Sequence, residues 1–302
     1  MTGGNAGRDT LRVDVCADRP RPWWPGELAV VAALVVGYDR VANLADLHVR
    51  SARERGEALL ALERSLRLAV EPALNHAVAL HHRLGQVLSL FYDLAHVGVT
   101  MGLLAVLYVL RPVGYRAARR ALVAVNLAGL AVFGVLPVAP PRLLPGADVV
   151  DVVAQSGTWG ASSAALAGSG HADAYASMPS LHVAWAVWVV LATCAATRQP
   201  VLRRLAGAHL VVTACVVVVT GNHYLLDVAA GALLAGSCWA LAAGPTGQPV
   251  GASSSSSAVC SRAPADGPPP GTRTRPSSAT APMPCRGDGR AGSADQVPAA
   301  GS

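Results

Sequence analysis

The chain has 302 residues, 52% of them hydrophobic and only 14% charged, with a net charge of +6. That is too apolar for an ordinary soluble domain and points to a polytopic membrane protein. The positive balance does not argue for a nucleic-acid partner. Every basic residue is arginine, and the arginines fall mainly in loops and tails, where membrane topology accounts for them.

Residues 1–24 read as a polar N-terminal segment, and no cleavable signal peptide is expected. The membrane-embedded domain is expected over 25–243. Six spans are expected at 25–45, 87–110, 119–138, 181–197, 203–220 and 225–243. The first is the weakest, because Asp39, Arg40 and Asp46 crowd its end. Between the first two, residues 49–84 read as an external amphipathic helix, packed on the membrane surface or against the bundle. Leu59, Leu62, Leu66 and Val70 recur at helical spacing, with Arg53, Glu57, Glu63, Arg64 and Arg67 around them. Pro72 is expected to break or restart it. The predicted fold class is therefore all-α, a bundle of about six transmembrane helices with an amphipathic external helix.

Arg111, Arg116, Arg119 and Arg120 join the second and third spans, and Arg198, Arg203 and Arg204 the fourth and fifth. The positive-inside rule places these loops and both termini in the cytoplasm. The 139–180 loop and the turn before His223 then face outward. From Gly244 to the end the chain is rich in Ser, Pro, Gly and Ala and reads as a disordered tail. Cys194, Cys215 and Cys238 lie inside apolar runs and read as small buried hydrophobes; no cysteine spacing resembles a zinc site or a disulfide framework.

Two segments stand at junctions between polar loop and apolar run. They are Ser177-Met178-Pro179-Ser180-Leu181-His182 and Gly221-Asn222-His223-Tyr224-Leu225-Leu226-Asp227. About forty residues separate their histidines, the length of two spans and a turn, so both are expected at one membrane face. His223 and Asp227 are four apart, one helical turn on one face, where a carboxylate orients an imidazole. His182 is placed to donate a proton to a leaving group. Ser180 and the amides of the helix start suit an anion. Arg142 closes the stiff run Pro137-Val138-Ala139-Pro140-Pro141 and is suited to a two-pronged grip on phosphate. That set fits phosphoryl transfer, in which charge stabilisation and positioning dominate.

These residues resemble the type 2 phosphatidic acid phosphatase superfamily over about 86–240. The Pro-Pro-Arg, Ser-Met-Pro-Ser-Leu-His and Asn-His-Tyr-x-x-Asp segments are similar to its inositol phosphorylceramide synthase-like, or inositolphosphotransferase, branch. The resemblance implies that His223 attacks phosphorus to give a phosphohistidine, that Asp227 orients it, and that His182 protonates the leaving oxygen. Arg142 and Ser180 would hold the phosphate. No metal and no cofactor is implied. Tyr92 and His96, in Phe91-Tyr92-Asp93-Leu94-Ala95-His96, resemble a segment of this branch and are expected beside the substrate.

The chain departs from the superfamily pattern in three places. It lacks the lysine of the first motif. Val217 stands where the third motif carries arginine, and Leu181 where many members have glycine. The expected partners are the lipid bilayer and a phospholipid or polyprenyl or other lipid phosphate. Localisation is expected at the cell membrane, with the site on the extracytoplasmic face. A non-catalytic lipid transporter or scaffold retaining the fold, and a metal-dependent hydrolase using His182, His223 and Asp227 as ligands, are the competing readings.

Overall fold

A computed structural model describes residues 22–45, 48–157 and 175–243. Most of the N-terminal segment, the middle of the 139–180 loop with His171, and the tail from Gly244 lie outside the described residues. Among the described residues the chain is helical and has no strands; one isolated parallel bridge joins Val138 to Ala176. The helices are α1 (Trp24–Ala45), α2 (Val49–Ser65), α3 (Glu71–Ala79), α4 (His82–Leu110), α5 (Pro112–Val135), the short α6 (Val152–Ser156), α7 (Leu181–Ala196), α8 (Pro200–Val219) and α9 (Leu225–Ala243). A 3-10 turn, Pro141–Leu143, follows α5.

Local chemistry sets the boundaries. Pro72, Pro112 and Pro200 stand in the first turns of α3, α5 and α8, where a missing N–H costs nothing. Ser180 caps α7 by accepting from the Val183 amide, and Asp151 caps α6 by accepting from Ala154. Arg67, in the left-handed region at φ 59°, ends the turn after α2.

Four helices are long and apolar enough to cross a membrane: His82–Leu110, Gly114–Val135, Pro200–Val219 and Leu225–Ala243. Helices also occupy the other two expected spans. However, α7 has only 16 residues, about 24 Å of rise against a hydrocarbon layer of about 30 Å. α1 carries Glu27, Asp39 and Arg40. Its Glu27 is not a loose end: it accepts from Tyr115 Oη at 2.6 Å and from Arg119 at 2.5 Å, which ties α1 to α5. The outer surface of the bundle is apolar, with Leu28, Val87, Leu94, Val135, Val211 and Leu233 among its exposed side chains, as lipid contact requires.

α7 lies at the centre, against α4, α5, α8 and α9. It is antiparallel to α5: Trp188 donates to the Ala118 carbonyl at 2.8 Å, while Leu181 lies against Gly129. Leu181, the departure from glycine, therefore has its compensating space on α5. α9 approaches α7 most closely at Gly231, where a β-carbon would stand 2.3 Å from the Ser180 carbonyl oxygen. Small residues permit this backbone-to-backbone contact without an apolar driving force.

The residues 49–84 form two helices and the start of α4, with the break at Pro72. α2 buries Ala52, Gly56, Leu60 and Glu63, whereas Leu62 and Leu66 are 48% and 54% exposed. Ala52 and Gly56 let the helix pack tightly under the Pro137–Leu144 segment, and Leu62 and Leu66 face outward, as an amphipathic helix on a membrane surface requires. One expectation needs correction, and it concerns the cysteines. Cys238 is buried, but Cys194 and Cys215 lie on the outer surface of the bundle, where a lipid-facing thiol needs no protein neighbour.

Gly231→Ala is expected to cost about 1–3 kcal/mol, because backbone rather than a movable side chain blocks the new methyl. Thermal melts in detergent check this against Gly236→Ala, whose β-carbon would enter open space and which is expected to be neutral.

Candidate active site

The α7–α8 hairpin returns His182 and His223 to the same end of the bundle, with ring centroids 5.8 Å apart. The arginine-bearing turns at 111–120 and 198–204 lie at the far ends of these helices. Gly221, at φ +74°, makes the sharp exit from α8. A β-carbon there would stand 2.5 Å from Val149, so both the backbone angle and the space require glycine. The amides of Asn222 and His223 then both turn back onto the Val217 carbonyl, at 3.2 and 3.1 Å. Val217 itself is fully buried among Val183 and Val218. Its side chain is core, which explains why an apolar residue occupies that position here.

His223 is buried, and its Nδ1 lies 2.8 Å from the Ser177 carbonyl oxygen and 3.4 Å from Asp227 Oδ2. Both neighbours are acceptors, so they favour the tautomer with its proton on Nδ1, in which the lone pair is on Nε2. The sequence pattern pointed to Asp227 as the orienting group. The nearer one is the backbone carbonyl of Ser177, which arrives from the other motif. Asp227 Oδ2 is occupied as well by the Ser177 hydroxyl and by the Tyr224 amide at 3.0 Å. Ser177 therefore bridges imidazole and carboxylate, one through its carbonyl and the other through its hydroxyl.

His182 stacks on Tyr92, with centroids 4.1 Å apart, and meets His96 at the same distance. His96 Nδ1 is 2.8 Å from the Tyr92 carbonyl, one turn back on α4. Trp185 closes the cluster at 5.5 Å from His96. Tyr92 and His96 thus stand beside His182. The crevice among Tyr92, His96 and His182 is too narrow to hold a water.

Ser180 is fully buried. Its hydroxyl caps α7, and its amide donates to the Asp227 carbonyl at 3.1 Å. Arg142 lies on the same rim, since its amide donates to the Gly221 carbonyl at 3.1 Å. Its guanidinium donates to the Asn222 side-chain oxygen and pairs with Asp151 at 3.3 Å. A cavity of about 430 Å³ opens beside it, lined also by His76, Asp148 and Val149. The guanidinium is therefore aimed, as the rigid proline run predicts, but it already holds a carboxylate where a phosphate would have to compete. Among the described residues no three His, Cys, Asp or Glu are grouped as metal ligands.

Three supporting residues receive no role from the sequence, although Tyr224 lies inside the second histidine segment. The Tyr224 hydroxyl sits between the carbonyls of Ala139 and Gly56, at 3.0 and 3.3 Å, and pins α2 and the proline segment to the turn after His223. Burial, foremost, and the nearby acids hold its phenol well above the usual range. Asn75 donates to the Val150 and Val219 carbonyls, both at 2.9 Å, and accepts from the Val150 amide at 2.7 Å. It latches the loop after Arg142 to the end of α8. Glu63 belonged, by its spacing, to the polar face of the amphipathic segment. It is instead buried against the start of α9. Only long-range pairing distinguishes Asn75 and Glu63 from ordinary helix residues.

Tyr224→Phe leaves two buried carbonyls without that donor and is expected to cost about 1–3 kcal/mol. Asn75→Ala, which removes three hydrogen bonds, is expected to cost at least as much. Detergent melts of both variants, with circular dichroism to confirm folding, measure the losses.

The PAP2 superfamily family model matches residues 57–241, which takes in both histidine motifs, Arg142 and the α2–α3 segment from Glu57 onward. No curated protein and no solved structure matches the chain. A match over more than half of the length, with the two histidine segments facing each other at one end of an apolar bundle, places this chain in the PAP2 superfamily.

Proposed function

We propose that this protein is an integral membrane enzyme that transfers a phosphoryl group from a lipid phosphate or phospholipid headgroup by way of a phosphohistidine on His223. The superfamily supports phosphatase or phosphotransferase chemistry on lipid phosphates. The observation that carries the reading is the seating of His223. Its Nδ1 faces two acceptors, Ser177 O and Asp227 Oδ2, so Nε2 is available as a nucleophile and the imidazolium formed on attack is stabilised.

In the first step the Nε2 lone pair forms a bond to phosphorus, and the bond from phosphorus to the leaving oxygen breaks. His182, 5.8 Å away ring to ring, gives that oxygen a proton. Arg142, together with the start of α7 led by Ser180, holds the charge on the non-bridging oxygens. In the second step an oxygen nucleophile gives its proton to His182 and attacks phosphorus, and the N–P bond breaks. Water yields a phosphatase; an alcohol yields a transferase. The motif pattern favours the inositolphosphotransferase-like outcome, with Tyr92 and His96 beside the substrate. The arginines of the 111–120 and 198–204 turns favour cytoplasmic termini and an extracytoplasmic site.

Purified protein in detergent is assayed with phosphatidic acid for phosphate release, and with labelled phosphatidylinositol and alcohol acceptors for headgroup transfer. His223→Ala is expected to lower turnover by at least about 10³-fold. His182→Ala is expected to lower it by about 10²–10⁴-fold. Turnover that survives His223→Ala refutes the phosphohistidine, and free phosphate as the only product from every donor refutes the transferase.

A further inference from the structure

The chemistry above leaves one buried pair of acids unused. Glu63 on α2 and Glu71 on α3 are 0% and 1% exposed. Glu63 Oε1 accepts from the Leu226 amide at 2.7 Å, and Glu71 Oε1 from the Leu225 amide at 3.2 Å. Two separate helices thus hold the first two amides of α9, directly after His223 and Tyr224. The remaining oxygen of each, Oε2, meets no N–H or O–H donor among the described residues, and the two carboxyl groups are neighbours because they accept from consecutive amides.

Two buried carboxylates on consecutive amides do not both ionise at low cost; one proton between them removes the repulsion and gives each bare oxygen a partner. Among the described residues no arginine or histidine pairs with either acid. From α9 and the turn before it the nearby titratable groups are Asp227 and Tyr224, with His223 beside Asp227, and from α2 also Glu57. The neighbouring arginines are committed elsewhere: Arg55 to the Pro137 carbonyl, Arg64 to that of Gly146, and Arg142 to Asn222 and Asp151. On α3, His76 pairs with Asp148 at 3.5 Å. Burial first, and then the acidic neighbours, push the Glu63 carboxyl up to about 8, although the Leu226 amide works in the opposite direction.

We propose that Glu63 and Glu71 are positioning residues of the reaction site, sharing one proton while they clamp the first turn of α9 and so hold His223 and Asp227 in reactive register. The proposal rests on the His223 reading above. Removal of the shared proton sets two like charges against each other in a dry site. α2 and α3 are then driven apart, and the start of α9 is released. Because the folded chain holds this proton more tightly than the unfolded one, its stabilising contribution is complete below about pH 4.5 and is lost as pH rises to about 8.

The test compares the full-length wild type with Glu63→Gln, Glu63→Ala and Glu71→Gln in detergent. Melting temperature is followed against pH without substrate. kcat and KM are followed against pH with phosphatidic acid micelles, and with phosphatidylinositol for transfer. Glu63→Ala is expected to lower kcat by about tenfold or more with KM changed less than about twofold, the mark of lost positioning. Glu63→Gln keeps an acceptor for Leu226 and presents an N–H to Glu71. It is expected to restore kcat at pH 7, to move the alkaline limb up by more than one unit, and to flatten the fall in melting temperature between pH 5 and 8. A Glu63→Gln protein with the wild-type alkaline limb and melting slope overturns the proposal. So does failure of both glutamine variants to fold, since a neutral isostere mimics the shared-proton state. The melting series needs no turnover, so it decides the clamp even where the phosphoryl-transfer reading itself fails.

Discussion

A helix that begins inside a protein must find acceptors for its first amides, because no earlier turn supplies them. α9 meets this requirement with three carboxylates. Glu71 takes Leu225, Glu63 takes Leu226, and Asp227 turns back to take Tyr224. The same Asp227 accepts the Ser177 hydroxyl and stands beside His223. One helix start therefore fixes the position of the histidine, the loop that orients it and the two surface helices above it. Negative charge at a helix N-terminus is favourable electrostatically, which offsets part of the cost of burying it.

The second constraint is closeness. α9 crosses α7 with glycine against the Ser180 carbonyl, and the Ser180 amide donates to the Asp227 carbonyl. These contacts join the two histidine motifs through backbone, not through long side chains. Backbone is the stiffer linkage, and a phosphoryl-transfer site profits from stiffness, since the electrostatic benefit lies in groups already aimed before the reaction. Arg142 is built in the same way. The prolines before it, its amide on Gly221 and its bond to Asn222 all tie the guanidinium to the turn that carries His223.

Two of the three departures from the superfamily pattern have a structural counterpart. Val217 fills a dry core next to Val183, and Leu181 fits the gap beside Gly129. An arginine at Val217 would have to bury its charge among valines. Tyr92, His96 and Trp185 surround His182 with aromatic surface.

The sequence by itself determined the elements whose signal is local. Apolar runs of about twenty residues mark the long helices, proline and serine mark their starts, and the interval between His182 and His223 brings both to one end. The pairing of His223 with Asp227 was legible because four residues make one helical turn. What only the tertiary structure decided involves partners far apart in the chain. The carbonyl of Ser177 lies closer to His223 than Asp227 does, yet a backbone oxygen has no letter in the sequence. Leu62 and Leu66 have helical spacing that suits either the membrane surface or the bundle; the structure turns them outward and buries Ala52, Gly56 and Leu60, because Ala52 and Gly56 let α2 come close to the proline segment. Glu63 and Glu71 look like surface charges until α9 delivers two bare amides to them, 163 and 154 residues along the chain. Periodicity reports which side of a helix is apolar; it carries no information about which distant groups wait to be satisfied, and those decided where the acids lie.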